Sequence, residues 1–200
     1  PLDVKKSGTA SAWITFQADD CATPIIEGPG DDEQTTGVGS AGTEKGSYLR
    51  FIGLVSRGWN TAFGNHWVRT DATPPEVPPS NGNLEYKYCV GDGNGRSGFS
   101  HYSASGIHIQ YCISAHNGSS VAHSWSSGFT LYATSKGTGD ALVEGNVSFE
   151  NMDAQYHTDG SGFIVDEGAN NAVFVNNIAF RNAGSCLRLT TSSNTKFINN

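Results

Sequence analysis

The chain has 200 residues, of which 25 are glycine and only 16% are charged, and its formal net charge is −7 with a sequence pI near 5.2. This acidic balance argues against nucleic acid as a partner, because a phosphate backbone requires a basic protein face. We expect no membrane span either, since no apolar run approaches the ~18 residues that a transmembrane helix needs.

The first half of the chain alternates between strand-like runs and polar loops. Residues 11–28 contain the first strand-like runs. Residues 29–46 are polar and rich in glycine, so we predict a loop there, and its acidic cluster Asp31–Glu33 has the character of a solvated turn. The run 47–57 returns to strand-like sequence. Residues 71–83 hold four of the seven prolines, which predicts a second long loop, of the kind that can wall a binding groove.

From residue 97 onward one short pattern repeats, in which an alternating apolar run follows a turn of small residues. The equivalent apolar positions, at spacings of 30, 34 and 24, are Phe99, Phe129, Phe163 and Leu187. Two further registers with similar spacings consist of asparagines, namely Asn146, Asn177 and Asn200, and Asn117, Asn151 and Asn182. Because three registers agree, we interpret the sequence as one structural repeat of variable length.

The repeat predicts an all-β fold. Alternation with period two is typical of a strand with one buried face, and several short strands per repeat exclude helical repeats. One such coil cannot bury its apolar face alone, so the coils must stack in parallel. We therefore predict a parallel β-helix, a single solenoid domain over residues 1–200 with long loops at 29–46 and 71–83. A β-sandwich of short strands is the alternative that the strand spacing alone would allow.

The repeated asparagines should lie at a corner of the coil, and two of the four cysteines should stack. Asparagine tolerates the left-handed backbone conformation, and its side-chain amide can bond to the same asparagine one coil away. Cys89 and Cys112 follow matching tyrosine-containing runs 23 residues apart, so we expect them to stack on successive coils. No disulfide framework or zinc spacing is present, and buried free thiols in the core are favoured over a bridge.

Both ends of the chain have strand-like sequence. A solenoid whose terminal coil is unprotected exposes a strand edge, which native proteins cover with a cap. We therefore expect the natural protein to be longer than this sequence.

Three stretches carry a resemblance to a known family: Ser7–Phe16 (SGTASAWITF), Asp159–Asp166 (DGSGFIVD) and the paired-asparagine corners. They resemble the right-handed parallel β-helix proteins of the pectate lyase superfamily, most of all polysaccharide lyase family nine, over nearly the whole chain. Right-handed crossovers are also the rule between parallel strands. The resemblance implies a secreted, extracellular carbohydrate-active enzyme. Such an enzyme would cleave an acidic, uronic-acid polysaccharide of the pectate or alginate type by β-elimination, with calcium assisting.

Alternation within the repeat also predicts two columns of outward side chains, with coils ~4.8 Å apart. The columns are Ser100, Thr130, Ile164 and Arg188, and Tyr102, Tyr132, Asp166 and Thr190. We interpret this face as a polysaccharide groove in which Tyr102 and Tyr132 stack on sugar rings and Arg188 holds a carboxylate through its planar fork. The alternative is that these are ordinary solvated strand residues.

β-Elimination needs a cation that neutralises the uronate carboxylate, a base that removes the neighbouring proton and an acid that protonates the leaving oxygen. Asp159, Asp166 and Glu167 offer hard oxygen ligands close together in sequence, which suits calcium. The candidates for base and acid are Arg188, Tyr132, His157, Tyr102 and His123.

The sequence departs from the family at the catalytic base. Family-nine lyases place a lysine on the outward face of the strand after a DGF-type motif, whereas the equivalent positions here are Tyr132 and Asp166. Lys136 lies four residues beyond Tyr132. The family's base is therefore not carried over to this chain.

Two other classes of function remain open at this stage. A polygalacturonase-like hydrolase would need a patterned set of aspartates on neighbouring coils, for which Asp153, Asp159 and Asp166 are few. A non-catalytic β-helix would bind glycan or serve as a surface module. Absorbance from the unsaturated product of polygalacturonate or alginate separates a lyase from both of these classes. Separately, we expect the active protein to be a monomer.

Overall fold

The computed structural model describes residues 1–30, 36–39, 46–65, 82–102, 104–122, 125–132 and 140–200. All regular elements in these ranges are strands. In chain order they are β1 (Leu2–Asp3), β2 (Ile14–Gln17), β3 (Ile25–Glu27), β4 (Thr36–Gly39), β5 (Leu49–Ile52), β6 (Val55–Arg57), β7 (Thr61–Gly64), β8 (Gly82–Lys87), β9 (Val90–Asp92), β10 (Ser97–Tyr102), β11 (Ser105–Gln110), β12 (Ile113–Ala115), β13 (Phe129–Tyr132), β14 (Ala141–Glu144), β15 (Val147–Phe149), β16 (Phe163–Asp166), β17 (Ala172–Val175), β18 (Ile178–Phe180), β19 (Leu187–Leu189) and β20 (Lys196–Ile198).

The strands form three parallel sheets. Sheet 1 has the order β1-β4-β7-β10-β13-β16-β19, sheet 2 the order β2-β5-β8-β11-β14-β17-β20, and sheet 3 the order β3-β6-β9-β12-β15-β18. From β2 to β20 the chain visits sheets 2, 3 and 1 in strict rotation, so each circuit, here called a coil, adds one strand to each sheet. The all-β prediction is confirmed for the described residues, and the arrangement is consistent with a parallel β-helix.

The predicted column of apolar side chains lies in the core between the sheets. Phe99 pairs with Phe129, Phe129 with Phe163 and Phe163 with Leu187 in the registers of sheet 1. The rings of Phe99 and Phe129 stack with centroids 4.7 Å apart, and Phe63 extends the stack by a further coil at 4.8 Å. The sequence register is therefore correct, and the column is longer than predicted.

Two ladders of asparagine side chains hold the corners, as predicted. Between sheets 3 and 1, the Asn94, Asn117 and Asn151 amides each donate to the side-chain oxygen of the next asparagine, at 2.8 to 2.9 Å. Between sheets 2 and 3, Asn146 donates to Asn177 at 3.0 Å, and Asn177 to Asn200 at 2.7 Å. These buried amides satisfy one another and fix the height of each coil.

Cys89 and Cys112 precede the second ladder at the same corner. Both are fully buried free thiols on successive coils, and the Cys89 backbone N–H donates to the Cys112 sulfur at 3.4 Å. Cys21 and Cys186 are free and exposed. Core packing of the stacked pair is confirmed.

The loop predictions need correction. Residues 29–46 were predicted to be a loop, but they contain β4, in which Val38 is fully buried beneath Phe63. This strand has one large apolar side chain among small residues, too few for an alternating pattern to be recognised. Gly82 and Asn83, assigned to the second loop, begin β8, while residues 71–81 and the acidic cluster Asp31–Glu33 lie outside the described residues.

Candidate functional site

The outer face of sheet 1 brings the predicted site residues into two adjacent columns. The registers align Ser100, Thr130, Ile164 and Arg188 in one column and Tyr102, Tyr132 and Asp166 in the other. Thr190 follows β19, and its backbone N–H donates to the Val165 carbonyl oxygen at 2.9 Å. Alternation in the sequence therefore assigned these side chains to the correct face.

The first column is not an open groove along its length, contrary to the prediction. Ser100 is 5% exposed and Ile164 only 2%, so both are buried although they point away from the core. Alternation predicts the side of a sheet on which a residue lies, but it carries no information about what covers that side. The accessible parts of the face are the strand ends that carry the two tyrosines and the last coil, where Arg188 continues the first column.

The two tyrosines form a stacked pair on this face. The rings of Tyr102 and Tyr132 have centroids 4.8 Å apart and planes inclined by 19°. The Tyr132 phenol donates to Glu167 Oε2 at 2.5 Å. Burial, followed by this hydrogen bond and the Glu167 charge, raises the pKa of Tyr132 well above its ordinary value. Tyr132 therefore stays protonated at neutral pH and can donate a proton but not act as a phenolate base.

Asn65 fixes the backbone of this tyrosine pair. Its side-chain amide donates to the Tyr102 carbonyl oxygen at 2.9 Å, and its side-chain oxygen accepts from the Tyr102 backbone N–H at 2.8 Å. Asn65 is fully buried and lies directly after β7. Sequence reasoning missed this residue, because its partner lies 37 positions away.

Arg188 is held by the turn that joins β15 to β16. Its Nη1 donates to the Thr158 carbonyl oxygen at 3.1 Å and forms an ion pair with Asp159 Oδ1. The Arg188 side chain is 37% exposed, whereas that of Asp159 is only 8% exposed. Burial raises the pKa of the Asp159 carboxyl, and the Arg188 charge opposes this shift. These hydrogen bonds use one Arg188 nitrogen, so the exposed side of the guanidinium can meet a ligand.

Asp153 fixes the shape of that turn. Its Oδ2 accepts from the Thr158 backbone N–H at 3.1 Å, the Thr158 hydroxyl at 3.0 Å and the Asp159 backbone N–H at 3.3 Å. Asp153 itself is 1% exposed. By accepting three hydrogen bonds, the buried Asp153 carboxylate holds Asp159 in place. Asp159 in turn positions Arg188.

A second arginine, Arg96, belongs to the same cluster and was not predicted. It is the residue before β10, and burial lowers the pKa of its guanidinium, while the charges of Asp159 and Asp153 oppose the shift. The local sequence Gly95-Arg96-Ser97 gives one signal that could have found it, since a lone arginine among small residues at a strand entry is unusual in a chain with few charges. Arg188 thus contacts Asp159 directly, and the charge of Asp159 also acts on the buried Arg96.

The last predicted site residue that the structure describes is His157. His157 lies on the same turn but is exposed, and its imidazole makes no hydrogen bond or ion pair within the part of the chain that the structure describes. Its backbone has a φ of 55°, and its N–H donates to the Asp153 carbonyl oxygen at 3.0 Å. His123 and Lys136 lie outside the described residues.

Each of the three carboxylates predicted to bind calcium has a protein partner in this arrangement. Asp159 pairs with Arg188, Glu167 accepts from Tyr132, and Asp166 Oδ1 accepts from the Glu167 backbone N–H at 2.9 Å. No group of three His, Cys, Asp or Glu residues among those described gathers in a way that could hold a metal ion.

Comparisons of the chain with protein-family models, with curated sequences and with solved structures give no match. In the described ranges, no helix is long and apolar enough to span a bilayer. We therefore infer the function of the chain from the geometry of sheet 1.

Proposed function

We propose that the chain is a right-handed parallel β-helix protein, secreted by its cell, that binds an acidic polysaccharide on sheet 1 and cleaves it by β-elimination. One observation carries the proposal. The stacked tyrosine pair, with Tyr132 hydrogen-bonded to a carboxylate, shares a sheet face with Arg188. The Arg188 guanidinium is held in place by the buried side chain of Asp159. Aromatic faces suit sugar rings, and a guanidinium suits a uronate carboxylate.

Each step of the elimination has a candidate group on this face. The exposed part of Arg188 binds the uronate carboxylate and, with the nearby charge of Arg96, stabilises the negative charge that develops there. His157, on the rim of the site, takes the proton from the carbon next to that carboxylate. The bond from the ring to the leaving oxygen breaks as the carbon–carbon double bond forms, and Tyr132 protonates the leaving oxygen. Solvent then takes the proton from His157 and returns one to Tyr132.

The direct test is the nature of the product. Polygalacturonate and alginate are each incubated with the protein, with added calcium and with a chelator, and both ultraviolet absorbance and reducing ends are followed. A lyase raises both signals together, because each cleavage creates one unsaturated ring and one reducing end. Activity that survives the chelator agrees with a mechanism built on side chains, whereas loss of activity shows that calcium enters the site.

A glycoside hydrolase is the second candidate, and one observation favours it. Burial and the charges of Asp153 and Asp166 raise the pKa of Asp159 against the opposing charge of Arg188, and a raised carboxyl pKa suits a general acid. The sequence had suggested that these aspartates were too few and too poorly patterned for such a role. A hydrolase would release reducing ends without ultraviolet absorbance. A non-catalytic glycan-binding module would give neither signal while still retaining the polysaccharide.

A further inference from the structure

The outer face of sheet 3 carries an apolar column that the proposed site does not use. One outward position in each of its six strands is isoleucine or valine: Ile25, Val55, Val90, Ile113, Val147 and Ile178. The three isoleucines are 49%, 37% and 59% exposed. Outward positions of a solvated strand are normally polar, and a contiguous apolar patch marks an interaction surface.

A row of charges borders this column, and its sign alternates from coil to coil. The charged residue at or just after the end of each strand, in chain order, is Glu27, Arg57, Asp92, His116, Glu150 and Arg181. Arg57 donates to Glu27 at 3.1 Å and Arg181 to Glu150 at 3.4 Å. His116 bridges its two neighbours, with Nδ1 2.7 Å from Asp92 and Nε2 3.2 Å from Glu150, and these contacts raise its pKa and favour the cation.

When two copies of this alternating row of six charges run in opposite directions, each charge lies opposite one of unlike sign. A two-fold axis that lies in the interface, parallel to the strands and between β9 and β12, inverts the order of the strands and keeps the level of each residue along them. The charges that end a strand then come within one residue, ~3.3 Å, of the level of the charges that follow a strand. Glu27 then faces Arg181 of a second copy. By the same rotation Arg57 faces Glu150, and Asp92 faces His116. The apolar column meets its own equivalent, so apolar contacts form the centre and the charges lie at the rim, as in other protein interfaces.

We propose that the outer face of sheet 3 is the interface at which two copies of this chain pair in antiparallel orientation. The size of the face indicates the strength of pairing. Six strands at ~4.8 Å and about five residues at ~3.3 Å give roughly 29 by 16 Å, or about 1,000 Å² over both partners, the lower limit of specific interfaces. We therefore expect weak, concentration-dependent dimers in place of the monomer expected from the sequence.

The first test is sedimentation velocity over a protein range from roughly 1 to 300 µM, where micromolar self-association is visible. Wild type should shift from monomer to dimer. Val90→Lys, next to the proposed axis, should stay monomeric, whereas Val173→Lys, which changes an outward valine of sheet 2, should dimerise like wild type. Thermal unfolding confirms that both variants are folded. A wild type that stays monomeric throughout, or equal dimerisation of both variants, overturns the proposal.

The second test separates contacts between chains from contacts within one chain. Glu27 and Arg181 are five strands apart, about 24 Å, beyond the ~10 Å over which exposed charges interact in 0.1 M salt. They can therefore be coupled only across a dimer. Glu27→Arg and Arg181→Glu should each weaken dimerisation about tenfold, and the double variant should return to within about threefold of wild type. A double variant weakened by the product of the single effects contradicts the antiparallel pairing.

Discussion

The Asn117 side-chain amide donates to the side-chain oxygen of Asn151 across 2.8 Å, and both residues are buried. The same oxygen accepts from the Asn117 backbone N–H at 3.2 Å, and the Asn151 amide donates to the Ser114 carbonyl oxygen at 3.1 Å. One side chain thus satisfies three polar groups on a neighbouring coil. Loss of one amide from the ladder is costly, because its buried partners lose their hydrogen bonds and water cannot reach them.

Asn151→Ala should therefore lower the free energy of unfolding by about 2 to 4 kcal/mol, since it leaves several buried groups unsatisfied at once. The matched control is Asn170→Ala, whose oxygen accepts from Ser193 at 2.7 Å near the surface. There water can replace the lost bond, so we expect a loss below about 1 kcal/mol. Urea unfolding measures both, and equal losses would show that the buried ladder has no special weight.

Phe163→Ala should cost about 3 to 5 kcal/mol, because the ring is 2% exposed and stacks on Phe129 with centroids 4.8 Å apart. Phe180→Ala is the control, since its ring also stacks, on Phe149 at 5.2 Å, but is 41% exposed. We expect that variant to lose about 1 kcal/mol or less in dilute solution. A loss below about 1 kcal/mol at position 163 would mean that the core register is wrong.

His101 should make the protein sensitive to acid. Its ring is 2% exposed and lies 5.1 Å from the Tyr86 ring, and burial lowers its pKa to about 3. A histidine in an unfolded chain has a pKa near 6.5. Below that pH, His101 binds a proton in the unfolded state but stays neutral in the folded state. Stability is thus fully present above about pH 6.5 and falls by up to ~1.4 kcal/mol per pH unit towards pH 3.

His101→Leu should flatten this dependence between about pH 6 and 4, as measured by urea unfolding at several pH values. Phe99→Leu controls for altered packing, because it changes a buried ring in the same strand without removing a titratable group. That control should keep the wild-type slope even where its overall stability is lower. An unchanged slope in His101→Leu would show that another group governs acid unfolding.

Tyr132→Phe should remove the proposed acid but keep the ring stack with Tyr102. We expect turnover of polygalacturonate to fall by about 10²- to 10⁴-fold, the usual contribution of general acid–base catalysis. The Michaelis constant should change little, because the stacking surface remains. Tyr156→Phe, at an exposed tyrosine of the neighbouring turn, should retain activity. A fully active Tyr132→Phe enzyme would assign proton donation to another group.

Much of the fold could be predicted because it repeats. The equivalence of Phe99, Phe129, Phe163 and Leu187 and the two asparagine registers required only matching positions along the chain, and the structure confirms them. The strands of sheet 3 escaped recognition because three-residue runs such as Ile113–Ala115 are too short to show a period. Their exposed apolar column becomes visible only once the coils are stacked.

The candidate site could be predicted only in part, for a different reason. The faces of Tyr132 and Arg188 follow from local alternation, but their partners do not. Arg188 pairs with Asp159, 29 positions away, and the burial of Ile164 depends on what lies over the sheet. Contacts between a strand and a turn from another coil have no periodic signal in the sequence.

The most direct test of the central claim is a crystal structure of the Tyr132→Phe variant with an oligogalacturonate. We predict sugar rings on the aromatic pair formed by Tyr102 and the substituted ring at position 132. A uronate carboxylate should lie on the exposed side of the Arg188 guanidinium, with the Arg188–Asp159 ion pair retained. Saccharide density confined to another face of the solenoid would contradict the account, as would an empty sheet 1 at saturating oligosaccharide.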